Sequence, residues 1–152
     1  MEDLHRLLED HDFLKGLSAE QTRVLVACVE NRRYRRGEFL LREGQAADVF
    51  YLLRVGRVAL EIDVPGRGPV QMESLGPNDA VGISSLVPPH REHLDARVVE
   101  PVVALAFDGA CLRGKMQADP ALGYALTARM LAEAYKRLER VRLQRLDVYA
   151  GA

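Results

Sequence analysis

Residues 75–86 read Leu-Gly-Pro-Asn-Asp-Ala-Val-Gly-Ile-Ser-Ser-Leu, and this stretch decides the fold. Its first half, with Gly76, Pro77, Asn78 and Asp79, is typical of a turn. A glycine, an isoleucine and two serines follow, and a proline-broken loop at 87–93 then leads into an apolar segment that ends at residue 107. Together these features indicate a pocket wall whose backbone amides can face an anion.

The chain before this stretch predicts an antiparallel β structure. Short apolar runs alternate with turn signals at Gly37, Gly44 and Gly56, which is typical of a β sandwich or barrel. The loop at 63–69 is expected at a hairpin tip, because alternating residues follow it up to the stretch quoted above.

Helices are expected at both ends of the chain. Leucines at helical spacing occur before residue 31, with Ser18 placed to cap one of these helices, and Asp108 is placed to cap another after the strands. At 152 residues the chain has the size of one domain. We therefore expect one mainly β domain with flanking helices, divided into N-terminal helices at 1–30, a β barrel at 31–107 and C-terminal helices at 108–150.

The last helix carries a seam of apolar residues. Asp119 and Pro120 suit its cap and first position, and no glycine or proline interrupts residues 124–150. Such a helix is about 40 Å long, which exceeds a small barrel. We expect a homodimer through this seam, and the alternative is a helix folded back over its own barrel. The seam consists of Leu131, Ala134, Leu138, Val141 and Val148, with Arg145 interrupting it.

Composition narrows the class of protein. The net charge is −1 and the pI about 6.4, so no overall field attracts nucleic acid or an anionic membrane. Cys28 and Cys111 lie in apolar surroundings and are expected to be reduced core thiols. The acidic start and the lack of an apolar run near ~18 residues predict a soluble cytoplasmic protein that does not enter a membrane.

Two further stretches carry a family resemblance. Residues 34–44 read Tyr-Arg-Arg-Gly-Glu-Phe-Leu-Leu-Arg-Glu-Gly, and residues 48–58 read Asp-Val-Phe-Tyr-Leu-Leu-Arg-Val-Gly-Arg-Val. Together with residues 75–82 they resemble the cyclic-nucleotide-binding domain of the catabolite-activator (cAMP receptor protein) family. The resemblance extends from residue 12 to about 145. It implies that family's β jelly-roll barrel, N-terminal helices, long C-terminal helix and a phosphate-binding cassette at 81–97.

The resemblance also implies roles within the cassette. In the family, a Gly-Glu pair opens the cassette and the glutamate accepts the ribose 2′-hydroxyl, while an arginine before Ser or Thr and Ala holds the phosphate. Gly82 matches the glycine, Ile83 stands at the glutamate's place, and Glu92 stands at the arginine's place. The candidate ligand-binding residues are Gly82, Ile83, Ser84, Ser85, Leu86, Arg91, Glu92, His93 and Leu94.

These two replacements predict a degenerate cassette. Each lost charge-assisted hydrogen bond costs about 1.5 to 3 kcal/mol, so ordinary micromolar binding of cyclic AMP or cyclic GMP would not survive. We expect no cofactor and a stand-alone regulatory or scaffolding domain that acts through protein interaction. The alternative is a sensor of a cyclic nucleotide or another small anion, held by Arg91 and the backbone of 82–85.

Other classes of function have weaker support. His90 and His93 share one loop and the remaining histidines lie in the N-terminal helices, so we expect solvated histidines and no cupin-like metal site. Ser84 and Ser85 lack a glycine-framed nucleophile elbow and a histidine placed to activate them, so we do not expect an enzyme. Arginines at 32, 33, 35 and 36 are expected on a solvated strand edge. The basic residues of the last helix are expected on a solvated helix surface, and these are Arg129, Lys136, Arg137, Arg140, Arg142 and Arg145. The family's transcription factors continue into a helix-turn-helix after the long helix, and this sequence ends at residue 152, so DNA binding is not expected.

Overall fold

A computed structural model describes residues 3–150, with the side chain of Tyr149 excepted. Helices flank a set of strands, as expected. The N-terminal part contains α1 (Leu4–Asp10), a 3₁₀ helix (Asp12–Leu14) and α2 (Ala19–Val26). The strands are β1 (Val29–Tyr34), β2 (Phe39–Leu41), β3 (Val49–Val64), β4 (Gly68–Leu75), β5 (Ala80–Val81) and β6 (Asp95–Asp108). A second 3₁₀ helix (Ile83–Leu86) follows β5, and α3 (Gly109–Ala118) and α4 (Pro120–Ala150) end the chain.

The strands form one antiparallel sheet. Its order is β1-β6-β3-β4, with β2 added to β6 and β5 added to β3. This confirms the mainly β jelly-roll architecture with flanking helices. The strand region begins at Val29 and ends at Asp108.

Strand β3 differs from the expectation. The runs at 49–53 and 58–62 were expected on either side of a turn at Gly56, yet they form one strand. Gly56 has a φ of +90°, and a Cβ atom there would lie 2.1 Å from the carbonyl oxygen of Pro101. The glycine therefore lets β3 bend closely against β6, where the pairing register shifts, instead of ending the strand.

Successive side chains of β3 enter two different cores. Phe50 and Leu52 pack with the helices, and Tyr51 and Leu53 pack inside the barrel. Because alternate residues of a strand point to opposite faces, a strand buried on both faces reads as a continuous apolar run. This explains why 49–53 shows no alternation of apolar and polar residues.

The predicted helix caps are present. Ser18 and Gln21 form a reciprocal capping box at the start of α2. The side chain of Asp108 accepts a hydrogen bond from the amide of Cys111 at 2.8 Å, and Asp119 accepts from the amides of Ala121 and Leu122. These side chains fix where the helices after the barrel begin.

One histidine lies in the interior, which corrects the expectation that the histidines are solvated. His11 is 4% exposed, and its Nε2 lies 2.8 Å from the carbonyl oxygen of Leu53. Its Nδ1 accepts from the amide of Phe13, so the other ring nitrogen is the donor to Leu53. Burial lowers the pKa of His11, and the neutral ring ties the N-terminal helices to the middle of β3.

The cysteines form a disulfide, so the expectation of reduced thiols was wrong. Cys28 and Cys111, 83 residues apart in sequence, have Cα atoms 5.5 Å apart. The bond joins the residue that precedes β1 to α3 beside the core shared by the helices. Disulfides persist chiefly in oxidising environments, so this bond does not support the expected cytoplasmic location, which stays a prediction.

The long helix packs on its own barrel through residues other than the predicted seam. Leu122, Leu126 and Met130 are buried against the chain's own barrel and helices. All five seam residues are exposed in the single chain. The near half of α4 therefore folds over its own domain, and Arg137 and Arg140 extend its contacts to the barrel, while the seam itself is left exposed within residues 3–150.

Two surface features complete the fold. The arginine-rich β1 lies at an edge of the sheet, where Arg32 pairs with Glu30, and Arg35 and Arg36 are exposed. None of the helices within residues 3–150 has the length and apolar character needed to cross a membrane.

Candidate functional site

A cavity of about 230 Å³ lies between the cassette, the barrel strands and α4. Six of the nine candidate residues line it, which are Gly82, Ile83, Ser84, Glu92, His93 and Leu94. The structure thus brings most of the cassette around one space. The other three, Ser85, Leu86 and Arg91, do not line this cavity.

Gly82 sets the shape of the wall. Its φ is +92°, and a Cβ atom there would lie 2.7 Å from the carbonyl oxygen of Val49. Only glycine fits both the left-handed backbone and this close approach to β3. The chain then turns into the 3₁₀ helix at Ile83–Leu86, which directs Ile83 and Ser84 to the cavity.

Ser85 and Leu86 support the wall from behind and do not form a binding surface. Ser85 is completely buried, and its hydroxyl donates to the carbonyl oxygen of Gly82 at 2.8 Å. Its own carbonyl accepts from the guanidinium of Arg113 on α3. Leu86 packs against the core that the helices share. The structure therefore places these two residues behind the cavity wall, and their contact with a ligand stays a prediction.

Arg91 points away from the cavity. Its residue bridges to Ala46 outside the main strands, and its exposed guanidinium donates to the carbonyl oxygen of Gly44 at 3.3 Å. The hypothesis that Arg91 replaces the family's phosphate-binding arginine therefore has no geometric support.

Glu92 is the residue that turns inward. Its amide donates to the carbonyl of Gln45 at 3.0 Å, and its carbonyl accepts from the amide of Gly44 at 2.9 Å. These two bonds fix the backbone so that the side chain faces the cavity, where the residue is 4% exposed. Among the described residues, its Oε1 has no hydrogen-bond partner.

Burial changes the acidity of this carboxyl group. Desolvation, with a smaller contribution from the negative charge of Asp48, raises the pKa of Glu92 to about 7. An unpaired carboxylate is costly in the interior, so the group holds its proton at a higher pH than in water. The position that the resemblance assigns to the family's arginine thus carries a neutral or negative group near neutral pH.

Two charged residues of the cavity escaped the sequence analysis, which are Glu73 on β4 and Arg137 on α4. Arg137 had been assigned to a solvated basic helix surface, yet its side chain is only 18% exposed and donates to the carbonyl of Ala80. Burial lowers the pKa of Arg137. No signal in the sequence separates it from the solvated arginines of α4, because its burial depends on where the helix crosses the barrel.

We expect Glu92→Gln to stabilise the protein increasingly as pH rises. In the native state the pKa of Glu92 is above its ordinary value of 4.5, so between about 4.5 and 7 the folded chain holds a proton that the unfolded chain has released. The natural chain consequently loses stability across this window, by about 3 kcal/mol when complete. The variant does not lose this part of its free energy of unfolding as pH rises. Urea denaturation of both chains at a series of pH values will measure the difference.

Glu100→Gln, on an exposed part of β6, is the matched control for removal of a carboxylate. The difference in unfolding free energy between Glu92→Gln and the natural chain should grow from pH 5 to pH 8. A difference that stays constant over this range would contradict the burial of an unpaired carboxyl at residue 92.

Comparisons with known proteins agree with this geometry. The family model for the cyclic nucleotide-binding domain matches residues 31–119. A cGMP-dependent protein kinase of Eimeria tenella is 28% identical over 89 residues, which are 59% of this chain and only 8% of the kinase. This chain therefore spans a small part of the curated relative that it matches.

Solved structures share the fold over nearly the whole chain. A Geobacter metallireducens protein named for cyclic nucleotide binding is 28% identical, with a TM-score of 0.80 over 91% of this chain and 99% of that one. The sensor domain of the transcriptional regulator DNR from Pseudomonas aeruginosa is 21% identical, with a TM-score of 0.71 over 89% and 91% of the two chains. Since the family model covers more than half of the chain, and the cassette, barrel and long helix are all in place, this chain belongs to the cyclic nucleotide-binding domain family.

Proposed function

We propose that this chain is a non-enzymatic regulatory domain whose cavity does not take cyclic AMP or cyclic GMP by the family's usual contacts, and that it acts through a homodimer and a protein partner. The proposal rests on one observation. The side chain of Glu92 faces the cavity and is buried, and its Oε1 has no hydrogen-bond partner among the described residues. In the family this position supplies the positive charge that meets the cyclic phosphate.

Neither neighbouring arginine supplies that charge. Arg91 lies outside the cavity. Arg137 lines it, but its guanidinium donates to the carbonyl of Ala80 and pairs with Glu133 at 3.6 Å. A cyclic phosphate would therefore meet the carboxyl groups of Glu73 and Glu92, and Arg137 is already bonded to Ala80 and Glu133, with only its Nε lacking a hydrogen-bond partner among the described residues. Ile83 also offers no acceptor to a ribose hydroxyl.

Calorimetric titration tests the absence of ordinary nucleotide binding. We expect no saturable heat with cyclic AMP or cyclic GMP at concentrations that would reveal a Kd below about 10 μM. Saturable binding of either nucleotide in that range would overturn the proposal.

The exposed half of α4 supports a homodimer. Leu131 and Leu138 are seven residues apart, and so are Ala134, Val141 and Val148, which is the spacing of the two seam positions of a coiled coil. Leu131 is 69% exposed and Val148 is 73% exposed in the single chain. A second copy of the same helix would cover this seam. Leu143 and Leu146 lie outside it and leave apolar surface for a different protein.

Leu138→Asp should convert the dimer to a monomer. Its carboxylate would be buried in the middle of the seam without a partner, which association cannot compensate. Light scattering coupled to gel filtration will give the mass. Leu143→Asp is the matched control, because Leu143 is equally apolar and 61% exposed but lies on the opposite face of the helix, and it should leave the dimer intact. Equal masses for the natural chain and Leu138→Asp would count against this seam.

A further inference from the structure

The walls of the cassette cavity are mainly aliphatic. Its apolar lining consists of Leu41, Leu60, Val81, Ile83 and Leu94. An engineered apolar cavity of about 150 Å³ in another protein binds benzene. The cavity of about 230 Å³ therefore has room for an apolar body of benzene's size together with a short polar arm.

Two of the charged groups at the cavity already have partners of opposite charge. Glu73 pairs with Arg140 at 2.6 Å, and Arg137 pairs with Glu133 at 3.6 Å. These pairs connect α4 to itself and to β4. They leave no net positive charge that would attract an anionic ligand.

Glu92 is different because the fold supplies no counter-charge for it. Among the described residues, its buried Oε1 accepts no hydrogen bond. The charged neighbour that most affects it is Asp48, which has the same sign. His93, the next residue, is exposed at the rim of the cavity. A ligand that carries a cationic donor would satisfy the acceptor that the protein leaves unsatisfied.

We propose that the cavity binds a small primary amine with an apolar body, whose ammonium group pairs with Glu92 while the body packs against the aliphatic wall. The inference rests on the proposed function, since it assigns a ligand class to the same cavity. No group of three or more metal-ligating side chains occurs among the residues described, so an organic cation fits the site better than a metal ion.

Binding should strengthen as pH rises. An alkylammonium group remains protonated well above neutrality, at a pKa of about 10. Because burial raises the pKa of Glu92 to about 7, the carboxylate that pairs with it becomes populated across this range. Asp48, Glu73, His93 and Arg137 are the other titratable groups that face Glu92. From about pH 6 to pH 8 the affinity should increase about tenfold, in proportion to the ionised fraction.

Titrations with three matched probes, followed by nuclear magnetic resonance and calorimetry, test the ligand class. The probes are 2-phenylethylamine, the neutral 2-phenylethanol and the anionic 3-phenylpropanoate. We expect the amine to bind with a Kd in or below the millimolar range, the alcohol at least about tenfold more weakly, and the acid without saturation. Glu92→Gln should weaken the amine by about tenfold or more, and Arg91→Gln, which changes a residue outside the cavity, should leave it unchanged.

The outcomes separate this inference from the proposed function. The amine site is overturned if the amine does not bind, if the alcohol binds as tightly as the amine, or if Glu92→Gln binds the amine as tightly as the natural chain does. In each of these cases the proposed function stands, provided that cyclic nucleotides also fail to bind. Saturable cyclic AMP binding overturns both. The pH series on the natural chain needs no variant, and a flat series overturns the role of Glu92. A rise that persists in His93→Gln excludes the rim histidine as its cause.

Discussion

A chain that carries Glu92→Arg together with Ile83→Glu should bind cyclic AMP about 10² to 10⁴ times more tightly than the natural chain. Two charge-assisted hydrogen bonds would be gained, each worth about 1.5 to 3 kcal/mol. The backbone at residue 92 is held by Gly44 and Gln45, so an arginine there would leave the chain in the direction that the glutamate now takes. The buried, unpaired carboxyl would also disappear, and Asp48 would face a positive charge.

Calorimetry with cyclic AMP will measure the gain. Each single replacement serves as a partial control, and the pair Glu92→Gln with Ile83→Glu controls for loss of the acid without gain of the guanidinium. That control should not bind measurably, because it lacks the cation that meets the phosphate. If the variant with both Glu92→Arg and Ile83→Glu fails to bind while circular dichroism shows it folded, the cavity differs from a nucleotide site by more than these two side chains.

The order of elements could be predicted from local signals. Ser18, Asp108 and Asp119 mark helix starts by caps that act within three residues. The prediction of a turn at Gly56 was wrong, because a glycine with positive φ occurs both in turns and in bends within a strand. What distinguishes the two is the carbonyl of Pro101, which lies in a strand 45 positions further along the chain, and its approach cannot be read from the residues around Gly56.

The sequence likewise predicts some residues of the candidate site and misses others. Gly82, Ile83 and Glu92 were found because the cassette is one continuous segment. Arg137 was missed because the helix periodicity shows which face is apolar but not how the helix crosses the barrel. The choice between Arg91 and Glu92 as the inward residue depends on the pairing of this loop with residues 44–46, which local sequence does not specify.

The disulfide was also beyond the reach of the sequence analysis. Apolar surroundings suit a buried thiol and a buried disulfide equally, so the composition around Cys28 and Cys111 did not decide between them. Their proximity arises only when β1 pairs with the end of β6 and α3 follows directly from it. The register places Val29 opposite Phe107, which brings the two cysteines to the same end of the sheet.

Reduction of the Cys28–Cys111 bond should lower the free energy of unfolding by about 2 to 4.5 kcal/mol. The bond closes a loop over a sequence separation of 83 residues, and such a loop strongly restricts the unfolded chain. In the folded chain, α3 keeps its contacts with the core through Leu112, so little of the packing should be lost. Reduction should therefore shift the unfolding midpoint without altering the fold.

Urea denaturation of the oxidised chain with and without dithiothreitol will measure this loss. Cys28→Ser with Cys111→Ser is the control, because this variant should have the reduced chain's lower stability and no response to the reductant. Cys28 is only 5% exposed, so a serine there would bury its hydroxyl, which is itself destabilising. Cys28→Ala is therefore compared as well, because it removes the bond without burying a hydroxyl. The constraint on the unfolded chain is the only large contribution to stability that reduction removes. If a thiol assay shows the bond opened and the natural chain still unfolds at the same urea concentration as without reductant, the bond contributes no stability and the prediction is wrong.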